Sequence, residues 1–229
     1  AKKLDAEIIN GDSVAVYKHL DIGSAKPTKE EQENIKHHLI DIKEPIEDYS
    51  VFDYQQDVRN LIKDITSRNK RVIIVGGTGL YIKSALYNYE FKEGTTYNTY
   101  DNLTNEEILQ EIKKYTDDIS VHINNRKRLI RLLNKYQNNE PISNNKDELL
   151  YPCKVIGLTT NRDILYERIN KRVDIMINNG LLDEINSLKD QYTLSRILNS
   201  AIGYKEFYNY LFNNQSLEET IEQISNNKI

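Results

Sequence analysis

The chain has 229 residues, 38% hydrophobic and 29% charged, enough for one substantial core with a small satellite and too apolar for a disordered chain. Its 31 Lys and Arg stand against 35 Asp and Glu, a net charge of -4, which excludes a global attraction to nucleic acid and leaves any RNA contact to a local basic patch. A single cysteine excludes an internal disulfide; no apolar stretch approaches a bilayer span and no signal-peptide pattern opens the chain, so a soluble, cytoplasmic protein with no membrane contact is expected.

Taken in chain order, the charged residues 1–4 run straight into a short strand at 7–9, an opening that predicts an earlier strand, loop and helix before Ala1. Residues 38–42 are predicted as a second strand. Ser50 and Asp53 have the spacing of a capping box for a helix over 51–68, where Val51, Tyr54, Val58, Leu61, Ile62 and Ile65 recur at helical intervals. Arg71–Val75 is predicted as a buried strand that breaks at Gly76-Gly77-Thr78-Gly79 into another helix. Residues 92–150 hold no convincing strand but two helical segments, 105–115 and 125–136, and are expected to form a helical insertion. A last buried strand is expected at 153–158, with Cys153 a reduced core thiol. A helix over about 163–178, a break at Gly180 and a further helix complete the pattern. The strand and helix alternation predicts an α/β core, 1–91 with 151–229, on a mainly parallel sheet.

Four constellations carry chemistry. Gly11-Asp12-Ser13-Val14-Ala15-Val16-Tyr17 puts an acid and a hydroxyl directly after a strand, where ligands bind in parallel sheets, and Asp12 there can orient an amine or accept its proton. Gly76 to Gly79 lets the backbone approach a ligand and places Thr78 at a helix start, but no Gly-x-x-x-x-Gly-Lys-Ser/Thr loop is present. The segment from His122 to Arg131, extended by Lys135, gathers Arg126, Lys127, Arg128, Arg131 and Lys135 in an otherwise acidic chain, a candidate surface for an RNA backbone. Arg168 and Arg172 stand four apart on one helical face and could clamp a diphosphate; pairing with neighbours such as Glu167 is the alternative. His19, His37, His38 and His122 lack metal-ligand spacing.

In this order the motifs resemble the tRNA dimethylallyltransferase family: Asp12 to Tyr17, Asp21-Ile22-Gly23 with Lys26-Pro27, Tyr49-Ser50, Gly76 to Tyr81, the basic segment His122 to Arg131, Arg168 to Arg172, and Ile202-Gly203-Tyr204-Lys205-Glu206. The resemblance implies a P-loop nucleoside-triphosphatase type α/β fold with a helical tRNA-binding insertion. It implies transfer of a dimethylallyl group from dimethylallyl diphosphate to the exocyclic amine of the adenosine 3′ of the anticodon. Asp12 would be the base and Thr78 would place the amine; Arg172 with Arg168 would hold diphosphate. Asp12, Ser13, Val14, Ala15, Thr78, Lys127, Arg128, Leu129, Ile130 and Arg131 would meet the anticodon stem-loop. Mg2+ is the implied cofactor, with its usual ligand in a phosphate-binding loop that would lie before Ala1, and a monomer is expected. Ala15 stands where the family usually carries Gln, and Ile123 where it carries Pro. Two other readings stay open: a nucleotide or nucleoside kinase, which has no use for the basic insertion, and a catalytically dead RNA-binding module.

Overall fold

The computed structural model describes residues 1–89, 91, 98–139 and 148–227. Two compact units emerge, one built from Ala1–Leu86 with Tyr151–Ile229 and the other from Tyr87–Leu150.

The first unit is organised by a three-stranded parallel sheet, β1 (Ala6–Asn10), β2 (His37–His38) and β3 (Arg71–Val75), in the order β2-β1-β3. β1 is central and almost wholly buried, whereas the ends of β3, Arg71 and Val75, are exposed. Helix α1 (Val51–Ser67) starts at Ser50, whose side chain accepts from the Asp53 N–H while the Asp53 carboxylate accepts from the Ser50 N–H, so the predicted capping box is present. Its buried stripe of Tyr54, Val58 and Ile65 covers the sheet, and α2 (Gly79–Leu86) packs beside it. Tyr54 stacks on Tyr81 with centroids 4.3 Å apart. The Tyr54 hydroxyl donates to the Asn10 carbonyl at 2.9 Å, which satisfies a phenol buried at 0% exposure. Helices α5 (Arg162–Asn178), α6 (Leu181–Ser187), α7 (Phe207–Phe212) and α8 (Leu217–Asn227) extend the same core through Val173, Leu181 and Phe207, joined by Tyr192 and Tyr204 from the segment between α6 and α7. Gly180, at a φ of 93°, makes the predicted break between α5 and α6.

Two strand expectations are corrected. The run 153–158 forms no strand: Cys153 is exposed, and Ile156 and Leu158 are 81% and 96% exposed. A short apolar run becomes a strand only when a sheet edge takes up its N–H and C=O groups, and among the described residues neither β2 nor β3 pairs with it. The second strand is only two residues long. Leu39 and Asp41 adopt positive φ, so the chain leaves β1 after His38 and runs instead beside 15–17, where the Ile42 N–H donates to the Val16 carbonyl at 2.9 Å.

The second unit is a helix pair, α3 (Asn105–Lys113) and α4 (Arg126–Gln137), closed by Ile108, Ile112, Leu129 and Leu133, each fully buried. Thr104 and Glu107 form a capping box on α3, and the Asn125 side chain caps α4. Buried Asn134 pairs with the Asn98 backbone in both directions at 2.9 Å. Residues 92–97 and 140–147 of the expected insertion lie outside the described residues.

At the start of β1, buried Glu7 receives both guanidinium branches of Arg68, one at 2.8 Å, and His38 Nε2 lies 2.7 Å from Glu7 Oε2. The Arg68 hydrogen bonds are the main reason its carboxyl falls from 4.5 to about 2, with burial opposing them. A depressed carboxyl stabilises the fold above its unfolded pKa and loses that contribution as pH falls towards the folded value. The denaturant midpoint of the protein should therefore drop between about pH 4.5 and pH 2. Glu7→Gln should lower the midpoint at pH 6 and flatten that acid limb, as read by urea titrations at pH 6 and pH 3; an unchanged limb would remove Glu7 as its source.

Candidate active site

The candidate site begins where β1 and β3, parallel neighbours, end side by side. Gly11 donates its N–H to the Val75 carbonyl at 2.7 Å and accepts from the Thr78 N–H at 3.0 Å. The two loops touch so closely that a Cβ on Gly76 would sit 2.1 Å from the Gly11 carbonyl carbon. Asn10, buried at the end of β1, holds the turn. Its amide nitrogen donates to the carbonyls of Asp12 at 2.8 Å and Leu39 at 2.9 Å, and its oxygen accepts from the Asp12 N–H at 3.0 Å.

Asp12 and Thr78 are thereby brought to one place. Asp12 Oδ1 accepts from the N–H groups of Val14 at 2.8 Å and Ala15 at 3.2 Å, the turn-capping geometry of an aspartate. Among the described residues, Asp12 Oδ2 has no hydrogen-bond donor. Thr78 Oγ1 accepts from the Ser13 N–H at 3.0 Å and donates to Ser13 Oγ at 3.2 Å. The residues around them are open: Gly76, Gly77 and Gly79 are exposed, and Val75 and Leu80 are 55% and 53% exposed. Tyr81 lines the inner side, its hydroxyl pushed up to about 12 chiefly by burial, with Asp12 among the charges that add to the shift. A carboxylate oxygen with no described donor, on a turn that also carries the Ser13 and Thr78 hydroxyls, can accept a proton from an amine and orient it.

The arginines are placed differently. Arg168 and Arg172 are exposed on α5, and among the described residues neither forms an ion pair, so the expected alternative of pairing with Glu167 is not what occupies them. Arg172 Nη2 donates to the Ser24 carbonyl at 3.4 Å. No hydrogen bond among the described residues links either arginine to Asp12 or Thr78.

On α4, Lys127, Arg128 and Arg131 are exposed and make no ion pair with a described carboxylate. Arg126 is committed internally, donating to the carbonyls of Leu103 at 2.8 Å and Tyr100 at 2.7 Å and to Asn105 Oδ1 at 3.1 Å. Ile130 is half-buried in the helix pair, and Val14 is half-buried beside Asp12. Of the other residues expected at the RNA, Leu129 is fully buried against α3, and Ala15 is 5% exposed. A contact from either would run through its backbone.

Among the described residues no group of three or more His, Cys, Asp or Glu side chains could hold a metal ion. Among the described residues no helix is long and apolar enough to cross a membrane. The sequence motifs gave no sign of Glu184, which binds the loop 21–23 from α6; a glutamate on a short amphipathic helix has no local signature of a distant partner.

The sequence model of a family described as IPP transferase matches residues 15–229. The chain is 46% identical over 239 residues to a tRNA dimethylallyltransferase of Anoxybacillus flavithermus, covering 99% of this chain and 76% of that protein. It is 44% identical to one of Geobacillus thermodenitrificans, covering 99% and 77%. The fold matches the crystal structure of the full-length tRNA isopentenylpyrophosphate transferase of Bacillus halodurans at a TM-score of 0.72 and 38% identity, over 99% of this chain and 76% of that one. A eukaryotic dimethylallyltransferase captured acting on tRNA matches at a TM-score of 0.69 and 27% identity, over 99% and 61%. The small parallel sheet with flanking helices is therefore of the P-loop type, as the resemblance implied.

The Gly11 and Gly76 contact yields a sharp comparison. Gly76→Ala must part the ends of β1 and β3, and a loss of about 3 kcal/mol or more is expected. A Cβ on Gly77 meets nothing within 4 Å, so Gly77→Ala should stay within about 1 kcal/mol of the parent. Chemical denaturation of the two variants side by side decides the matter; equal stabilities would show that the loops can separate freely.

Proposed function

The chain belongs to the IPP transferase family, and we propose that it transfers a dimethylallyl group from dimethylallyl diphosphate to the exocyclic amine of the adenosine 3′ of the anticodon in tRNA. The observation that carries this reading beyond family membership is the division of labour on Asp12, with one oxygen capping the turn and the other without a described donor, next in sequence to Ser13, which Thr78 binds. The amine nitrogen forms a bond to the allylic carbon as the bond from that carbon to diphosphate oxygen breaks. The proton released from nitrogen passes to Asp12 Oδ2. Thr78 and Ser13 supply hydroxyls that can hold the purine in line, and an adenine in a stem-loop must leave its stack to reach them.

Diphosphate departs as a multiply charged anion, so cationic stabilisation of the leaving group is the main electrostatic task. Arg172 and Arg168 are assigned to it because both guanidinium groups are exposed and neither is neutralised by a described carboxylate. Magnesium, implied by the family's diphosphate chemistry, would take most of its octahedral shell from water and phosphate oxygens; the described residues build no cluster for it, and no step here passes through it. The unit Tyr87–Leu150 is assigned to the tRNA backbone through Lys127, Arg128 and Arg131. A kinase would leave this surface idle, and a dead binding module would have no use for a free Asp12 oxygen. The protein is proposed to act as a cytoplasmic monomer.

Asp12→Asn separates base from cap. The amide oxygen can keep both turn hydrogen bonds, so the fold should be unchanged, while the amino group now at the Oδ2 position cannot take a proton. Turnover is expected to fall about 100-fold to 1,000-fold with tRNA affinity changed far less. Transfer from radiolabelled dimethylallyl diphosphate to tRNA, together with a thermal melt, reads both; full activity would reassign Asp12 to structure.

The double substitution Lys127→Glu with Arg131→Glu addresses the other substrate. It should raise the KM for tRNA, leave that for dimethylallyl diphosphate nearly unchanged, and reduce the slope of log affinity against log salt by about one to two. Equal effects on both substrates would take α4 out of RNA binding.

A further inference from the structure

Glu184, on α6, is gripped by four donors from two other parts of the chain. Its Oε2 accepts from the N–H groups of Asp21 at 3.0 Å and Ile22 at 2.8 Å; its Oε1 accepts from the N–H of Gly23 at 3.2 Å and the hydroxyl of Tyr204 at 2.7 Å. Three successive N–H groups turned towards one carboxylate form an anion nest, which here is filled from within the protein. The nest has little room to relax. A Cβ on Gly23 would sit 2.6 Å from the Tyr204 ring, and Tyr204 is fully buried. Burial first, and the Glu184 charge second, push its phenol well above the ordinary range, so it remains a donor.

The other end of the same loop is fixed by Lys26, whose side chain is 4% exposed. Its Nζ reaches the Tyr17 carbonyl at 2.8 Å, Asp21 Oδ1 at 2.5 Å and Asp41 Oδ1 at 2.6 Å. Between the two anchors lies Ser24, whose hydroxyl turns back to the Leu20 carbonyl at 2.5 Å and whose own carbonyl accepts from Arg172. A loop held this firmly has few ways to dissipate its constraint. It offers the Arg172 guanidinium a carbonyl at one fixed point and leaves the rest of the donor fork free.

We infer that Glu184 is a positioning residue for the isoprenoid diphosphate: by clamping residues 21–23 it sets the Ser24 carbonyl, which in turn aims the Arg172 fork. The inference rests on the assignment of Arg172 to the diphosphate under the proposed function. A guanidinium aimed before the substrate arrives loses less freedom on binding than one that must be ordered by it. Glu184 touches neither substrate and acts only through the loop.

A purely structural clamp and a positioning clamp differ in one measurable way. In Glu184→Gln, whichever side the amide nitrogen takes, two of the four donors face an amino group instead of an acceptor. Steady-state transfer assays on the full-length protein should then give a KM for dimethylallyl diphosphate raised about 10-fold, with the KM for tRNA unchanged. In an Arg172→Ala background the same substitution should cost less than about 2-fold more, because the group it aims is gone. Equal fold-changes in the two backgrounds, or a lowered melting temperature with no change in donor KM, would overturn the proposal. Should Arg172→Ala itself leave the donor KM unchanged, the Arg172 assignment is at fault, and the aiming role falls with it. If Glu184→Gln does not fold, Tyr204→Phe removes a single donor and replaces it in the cycle, with a smaller donor-KM rise of about 3-fold expected alone and none in the Arg172→Ala background.

Discussion

The contact between Gly11 and Gly76 is the constraint on which the site depends. Two parallel strands carry their C-terminal ends to the same edge, but side chains would normally hold the following loops apart. Here neither loop has a Cβ at the crossing, and the backbones meet closely enough for Thr78 N–H to reach the Gly11 carbonyl. That crossing delivers the Thr78 hydroxyl to Ser13, and so to the residue after Asp12, across 65 positions of sequence. Residues of modest individual meaning become one site because a strand pair forces their loops together, as parallel sheets do at their carboxyl ends.

Within that site the same carboxylate serves structure and chemistry. An aspartate that only capped a turn could give up either oxygen, and an aspartate that only took protons would have no reason to cap. Asp12 spends Oδ1 on Val14 and Ala15, which fixes its rotamer and presents Oδ2 in one direction. Preorganisation of this kind places most of the ordering cost in folding rather than in each turnover.

Much of this was legible in the sequence, and what escaped has physical reasons. Helix α1 could be read because its start signal and its periodicity are local: Ser50 and Asp53 are three apart, and Tyr54, Val58 and Ile65 share one face. The Asp12 and Thr78 loops could be read because glycines and hydroxyls after strands have few other uses. The run at 153–158 could not, since apolar residues report a wish for burial but not whether a neighbouring edge is there to provide it. Buried Leu129 sits among the cations of α4, and its inward direction depends on which face α3 covers. Glu184 was invisible for the same reason, its partners being a loop some 160 residues away.

The charge distribution completes the logic. A chain of net charge -4 repels RNA at long range, so its affinity must come from cations within about a Debye length, roughly 10 Å at 0.1 M salt, of the phosphates. Arg126, which opens α4, is consumed by the carbonyls of Tyr100 and Leu103 and holds the helix pair together. Lys127, Arg128 and Arg131 follow on the same helix with no described carboxylate to neutralise them. An acidic chain with an uncompensated basic helix face discourages non-specific adhesion through its acidic surface, and that face favours polyanions that present phosphates where it can meet them. A folded RNA stem supplies phosphates in a fixed array; an isolated nucleotide does not, and gains correspondingly little from α4.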